Sequence, residues 1–288
     1  MLRSTTSTYQ PPPTGNEPVT LLLLGSGARF PAFIGALRAI EEKGIKVRKV
    51  VGCSTGSIVA SLYAAGMTPA QMDEELMPLD LARFKDASLR SMIFGKGLCA
   101  GQVLEEWLDE KLGGRVFGDP LAHPLSVVAT DILNYQAVIF AAEQYPDVKI
   151  STAVRFSLGI PWVFGYREFS HRGKRRVLID GSFLMGVAER LFERTDRTLI
   201  LKTVSKRTLN HAGKGTLSLK RYLLELVTFT LQSQDKEFIR GGKWKDTILL
   251  FCSDIVPARF ALAADEKRFL IDQGHAQTLQ FLQYKWGI

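Results

Sequence analysis

Three short stretches carry residue types and spacings that could do chemistry. Gly52-Cys53-Ser54-Thr55-Gly56 has the form G-x-S-x-G. Between a strand and a helix, that spacing makes a strained turn that pushes one serine out above a sheet. Ser54 is then a nucleophile candidate, and the following helix start favours developing negative charge. The plainer alternative is a serine capping an ordinary helix. Gly25-Ser26-Gly27-Ala28-Arg29-Phe30 closes an apolar run. Glycines there let the backbone aim several N–H groups at one point, which suits a phosphate or an oxyanion, or simply makes a tight connection. A dinucleotide site would need a third glycine where Phe30 stands, and an acid closing the next strand, which instead ends Val50-Val51-Gly52. Val177-Leu178-Ile179-Asp180-Gly181-Ser182 sets a carboxylate at the end of an apolar strand, where α/β sheets carry their sites. Asp-Gly is also a common plain turn.

A nucleophilic serine needs a base. The histidines are His123, His171, His211 and His275. They fall in a loop entering a strand, a polar turn, a basic loop and the last helix, so each reads as a surface or capping residue. A carboxylate is the candidate to weigh instead.

The elements that must position these residues alternate in type. Val19–Leu24 is a short apolar run bounded by Pro18 and Gly25, the profile of a buried parallel strand. Phe33–Lys43 has helical apolar spacing and Gly44 at its C-terminal cap. A strand over Val47–Val51, the turn Gly52–Gly56 and a helix over Ser57–Ala65 repeat the unit. This order predicts an α/β three-layer fold with a mainly parallel central sheet flanked by helices. Further along, 68–112 reads mostly as helices, with Gly95-Lys96-Gly97-Leu98-Cys99-Ala100-Gly101 as a break. Leu125–Asp131 is a strand that pairs with Ala137–Ala141. Ser151–Leu158 is a short helix, and Arg176–Ile179 and Thr198–Thr203 are strands. Leu217–Arg240 is an amphipathic helix, and 264–284 is a last helix broken near Gly274. Residues 1–18, rich in Ser, Thr and Pro, read as a disordered leader, and 19–288 as one catalytic domain.

Taken together, the motifs are three strand ends in the order oxyanion donor, nucleophile, acid. In this the chain resembles the patatin-like phospholipases, which carry a G-G-G-x-R/K-G turn, a G-x-S-x-G turn and a distal D-G-G or D-G-A. The likeness runs from Val19 to Gln283 and includes Ile34-Gly35-Ala36-Leu37-Arg38-Ala39-Ile40, Ala129-Thr130-Asp131 and the stretch Ala153–Phe164. It departs at Ser26, Phe30 and Ser182; Phe30 would narrow the mouth of the first turn. The resemblance implies a Ser54–Asp180 dyad without histidine, and an oxyanion hole from the amides of Gly25, Ser26, Gly27 and Ala28. Arg29, Gly52, Gly56 and Gly181 support it. It implies hydrolysis of a phospholipid or lysophospholipid ester through an acyl-enzyme, with no metal or organic cofactor. A lipid-binding module with weak hydrolysis, and a thioesterase or acyltransferase using the same serine, are the alternatives.

Composition sets bounds on partners and place. The 288 residues hold 46% hydrophobic and 23% charged residues, with a net charge of +8. That balance favours an acidic partner surface. The basic run from Arg197 to Arg221 and the cluster Arg172–Arg176 suit an anionic membrane face. Nucleic acid is not expected, because aromatic residues do not interleave with the charges. The mixed stretch from Arg83 to Phe94 reads as a helix packed on the core, or as a lid. Three scattered cysteines show no disulfide or zinc spacing, and no run of eighteen apolar residues exists. The expectation is a cytoplasmic protein, peripheral at the inner membrane face.

Overall fold

The computed structural model describes residues 17–79, 99–161, 164–193, 197–204, 222, 246–255, 257 and 261–288. Apart from Tyr222, the amphipathic helix expected at 217–240 lies outside these residues, as do the stretch 83–94 and most of the leader.

The elements are β1 (Val19–Leu23), α1 (Pro31–Glu42), β2 (Val47–Cys53), α2 (Thr55–Ala64), α3 (Pro69–Leu76), α4 (Gln102–Lys111), β3 (Leu125–Asp131), β4 (Gln136–Ala141), α5 (Ile150–Ser157), β5 (Arg167–His171), β6 (Lys174–Asp180), α6 (Met185–Glu193), β7 (Thr198–Val204), β8 (Thr247–Phe251) and α7 (Ala264–Phe281). They build one sheet in the order β5-β6-β3-β2-β1-β7-β8, with β4 also on β3. β1, β2, β3, β7 and β8 are parallel; β4, β5 and β6 run antiparallel to their neighbours.

The central strands read as unbroken apolar runs because both faces are covered. Along β1, Leu21 and Leu23 join the large cluster under α1, α2, α5 and α7, while Leu22 joins Met185, Ala188 and Phe192 of α6 on the opposite face. This is the expected three-layer arrangement.

Several boundaries differ from the sequence reading. α1 starts two residues early because Pro31 suits the first helical position, where no N–H is needed. β2 runs on through Gly52 and Cys53 to the turn itself. β5, β8 and α6 were not foreseen. The last helix is not broken at Gly274. It is continuous to Phe281, and Gly274 is where its backbone presses on that of α1: a Cβ there would lie 1.9 Å from Ala32 O. Gln277 of α7 also caps the edge strand β8, accepting from Phe251 N at 2.8 Å and donating to Phe251 O at 3.1 Å. That pairs the last residue of β8, the outermost strand among the described residues, with α7.

Candidate active site

Ser54 stands between β2 and α2 with φ +51° and ψ −136°. This backbone is unfavourable for any residue with a Cβ and survives only where its surroundings fix it. They do so at every polar atom. The Ser54 N–H donates to Ser157 Oγ at 2.8 Å. Its carbonyl accepts from Ser57 N at 2.8 Å and from Ser57 Oγ at 2.5 Å. Its hydroxyl makes no cap bond to α2, so the capping alternative is not realised. Instead Ser54 Oγ donates to Asp180 Oδ2 at 2.7 Å. The flanking glycines serve close approach. A Cβ on Gly52 would fall 2.4 Å from Ser57 Cα, and one on Gly56 2.4 Å from Leu23 O.

Sheet topology explains how residues 126 positions apart meet. β3 has two edges, and β4 occupies one along Ser126–Asp131. The other is shared end to end. β2 climbs beside Leu125–Val128 and stops with Cys53 opposite Val128. β6 descends beside Asp131–Ala129 and stops with Asp180 opposite Ala129. Two strands running toward each other therefore deliver Ser54 and Asp180 to the same point. The sequence reading had Asp180 at a strand end but not on a strand of opposite direction. Gly181 lets the chain turn away there, since a Cβ would sit 2.1 Å from Val128 O.

Asp180 is fully buried, and its carboxyl is held above the ordinary range. Burial is the main cause; hydrogen bonds from Ser54 and Ser182 pull the other way. Oδ1 accepts from Ser182 N at 2.8 Å, which leaves Oδ2 aimed at Ser54.

The first glycine turn sits directly on this pair. A Cβ on Gly25 would lie 3.2 Å from Ser54 Cβ. The turn is tied to the helix after Ser54: Ser26 N donates to Thr55 Oγ1 at 3.2 Å, and the two hydroxyls lie 3.0 Å apart. Ala28 N donates to Pro257 O at 2.9 Å. Two of the four amides expected to hold an oxyanion are thus already engaged. Gly25 N and Gly27 N have no partner among the described residues. Arg29, buried, donates from Nε to Ser26 O at 3.1 Å and braces the turn. Phe30 does not narrow its mouth. The side chain is buried in the main core cluster, and φ −54° demands no glycine.

None of the three described histidines approaches the serine. His123 Nδ1 lies 3.1 Å from Val47 O and its ring stacks on Tyr63. His171 ends β5 against Phe169 and Tyr145. His275 Nε2 is 2.7 Å from Glu42. Cys53, Cys99 and Cys252 are buried and form no disulfide.

Against known proteins, the model of the patatin-like phospholipase family matches residues 21–192, which hold all three motifs. The chain belongs to the patatin-like phospholipase family. An uncharacterized protein of Bacillus subtilis, YqhO, is 26% identical over 279 residues, covering 90% of this chain and 96% of its own. The NTE family protein Rv1063c of Mycobacterium tuberculosis is 31% identical over 172 residues, 59% of this chain and 44% of that one. Among solved structures, VipD from Legionella pneumophila superposes with a TM-score of 0.53 at 15% identity, over 93% of this chain and 67% of its own; at that identity the likeness is one of fold. Family membership makes this patatin-like protein a lipid acyl hydrolase in general terms.

Ser157 is the residue of this patatin-like site that sequence reasoning missed. It ends α5, fully buried, and its hydroxyl accepts from Ser54 N while donating to Val128 O at 2.6 Å. Its sequence signal is Phe156-Ser157-Leu158-Gly159-Ile160-Pro161, part of the stretch that carries the family likeness. No helix among the described residues is long and apolar enough to cross a membrane.

Proposed function

We propose that the protein hydrolyses fatty-acyl esters of glycerophospholipids or lysophospholipids with Ser54 as nucleophile and Asp180 as its base. The observation that carries this reading is the 2.7 Å contact from Ser54 Oγ to Asp180 Oδ2 at a strained strand–helix turn. A hydrogen bond formed before substrate binds favours an enzyme over a module that only binds lipid.

In the acylation step the Ser54 proton passes to Asp180 Oδ2 as Oγ bonds to the ester carbonyl carbon. The carbonyl oxygen becomes an anion, stabilised by the Gly25 and Gly27 amides. The engaged amides of Ser26 and Ala28 hold the turn in shape, so Gly25 and Gly27 need no reorganisation. The C–O bond to the alcohol breaks, and Asp180 returns the proton to the leaving oxygen. Water then gives a proton to Asp180 and attacks the acyl carbon; the C–Oγ bond breaks, fatty acid leaves and Asp180 returns that proton to Ser54 Oγ. Burial favours Asp180 in the neutral form it takes as it accepts each proton.

Two predictions follow from this geometry. The acid limb of kcat/KM is expected above 3.8, the ordinary aspartate value, because only ionised Asp180 can act as base. A pH–rate profile on a soluble ester checks it; a limb at or below that value contradicts it. Ser157→Ala is expected to lower kcat by about 10- to 100-fold with KM nearly unchanged, because it loosens the held geometry of Ser54 without touching substrate. Ser157→Thr keeps the hydroxyl and should recover part of the loss. Lipid product analysis with wild-type protein and Ser54→Ala tests the assignment as a whole. Fatty-acid release by the variant at the wild-type rate would defeat it.

A further inference from the structure

The two strands that share an edge with the site also extend past it. β3 continues beyond Ala129 and turns at 132–135 into β4. β6 begins at Lys174, six residues before Asp180, so the β5–β6 turn stands about 20 Å beyond the dyad on the same side of the sheet. The 132–135 turn rests on β6 next to the β5–β6 turn. Ile132 N donates to Val177 O at 3.0 Å, and Asn134 Nδ2 reaches Arg175 O at 3.5 Å. Asp131 is buried beneath them with Arg176 at 3.7 Å, so Arg176 belongs to the scaffold and not to the surface cluster expected from sequence. Lys202 of the second basic run is likewise buried in β7.

What remains exposed is of two kinds. Ile132, Leu133 and Tyr135 are 43%, 50% and 89% exposed. Beside them stand Arg172, Lys174 and Arg175, of which, among the described residues, only Arg175 has an acidic partner, Glu168, at 2.9 Å. Both turns also break a local rule. Among the described residues, only Ser54, Tyr135, Arg172 and Ser253 hold a positive φ without being glycine. Asn or Gly would suit positions 135 and 172 better. An aromatic and an arginine therefore sit at the two tips against backbone preference, and folding of the turns does not call for either.

We propose that these paired tips are an interfacial anchor that seats the protein on an anionic lipid surface, with Leu133 and Tyr135 entering the headgroup layer and Arg172 and Lys174 facing lipid phosphates. An apolar wedge with a cationic collar matches the two layers of such a surface. The anchor lies beyond the same end of the sheet at which β2 delivers Ser54. The inference rests on a lipid ester being the substrate, but the docking step needs no dyad, so the two can fail separately.

The test uses phosphatidylcholine vesicles with and without phosphatidylglycerol, beside turnover of a soluble ester. Each basic group near the surface contributes roughly 5-fold, so Arg172→Gln with Lys174→Gln should weaken binding to anionic vesicles about 25-fold, with the difference shrinking at high salt. Leu133→Ser with Tyr135→Ser should weaken binding further, and soluble-ester kcat/KM should stay at the wild-type value in both. Leu133→Cys can be labelled selectively, since Cys53, Cys99 and Cys252 are buried; an environment-sensitive dye there should shift to the blue on anionic vesicles. Wild-type-like vesicle binding by both double variants, with a silent dye, would overturn the proposal while leaving the dyad standing. So would a dye that responds to polyglutamate but not to vesicles, which would assign this face to an acidic protein.

Discussion

Asp180→Asn and Ser54→Ala should each cost about 10³-fold or more in kcat and shift stability in opposite directions at neutral pH. The activity loss follows from removing the base or the nucleophile of a single proton-transfer unit. Such losses do not add, so the double variant should be no slower than either single one. The stability signs follow from Asp180. Its folded carboxyl is held above the ordinary range, so the folded state binds a proton more tightly than the unfolded chain. Stability is therefore full below the unfolded value and falls as pH rises toward the folded one, the reverse of an ordinary ion-paired aspartate. At neutral pH the buried charge is a net cost, and an isosteric amide removes it while still accepting from Ser182 N. Asp180→Asn should keep or raise the Tm. Ser54→Ala leaves the carboxylate buried with one donor fewer, a loss of about 1.5–3 kcal/mol for a hydrogen bond to a charged group, and keeps the strained φ. Ser54→Gly should recover part of it, because glycine accepts φ +51° without strain. Thermal melts of the four proteins at one neutral pH check the order. A lower Tm for Asp180→Asn than for Ser54→Ala would contradict it.

Gly274→Ala or Gly35→Ala should destabilise the fold by about 3 kcal/mol or more, although neither residue is near the site. In an exposed helix the same change stabilises by about 1 kcal/mol, because alanine has the higher helix propensity. Here the neighbouring backbone decides. A Cβ at Gly35 would lie 1.8 Å from Ile271 O, and one at Gly274 1.9 Å from Ala32 O. Both obstacles are main-chain oxygens, which no rotamer change can move aside, so α1 and α7 would have to separate. Separation opens the main core cluster, since Phe33, Ile34, Leu37 and Ile40 of α1 and Leu270 and Ile271 of α7 all belong to it. The glycine turn that follows β1 enters α1 directly, so loss of stability and loss of activity should run together. Denaturant midpoints measure the effect; an unchanged or raised midpoint would show that the crossing is looser than these distances.

The parts legible in the sequence are those whose signal is local. Apolar runs ending in glycine marked β1 and β2. The 3.6-residue period marked α1, the second glycine turn marked the start of α2, and continuous hydrophobicity marked β3. G-x-S-x-G and Asp-Gly at strand ends picked out Ser54 and Asp180. What stayed hidden depends on contacts distant in sequence. Nothing local says that β6 runs against β3, yet that direction is what brings Asp180 to Ser54. β5 alternates half-buried and exposed residues, Arg167-Glu168-Phe169-Ser170-His171, and its charges made it look like a turn. Gly274 carries the same letter as a helix breaker and serves instead as a contact surface. Arg176 and Lys202 count as positive charges in the sequence, but the fold buries both. By family likeness Ser26 reads as one of the oxyanion donors; its amide and hydroxyl turn out to tie the first turn to Thr55.

The central claim, that Ser54 is a nucleophile activated by Asp180, is tested most directly by covalent labelling with a fluorophosphonate followed by mass spectrometry of the digested protein. The account predicts one adduct, on the peptide carrying Ser54, formed by the wild type, much slower in Asp180→Asn and absent in Ser54→Ala. Labelling of another serine, or equal labelling rates with and without the Asp180 carboxylate, would contradict it.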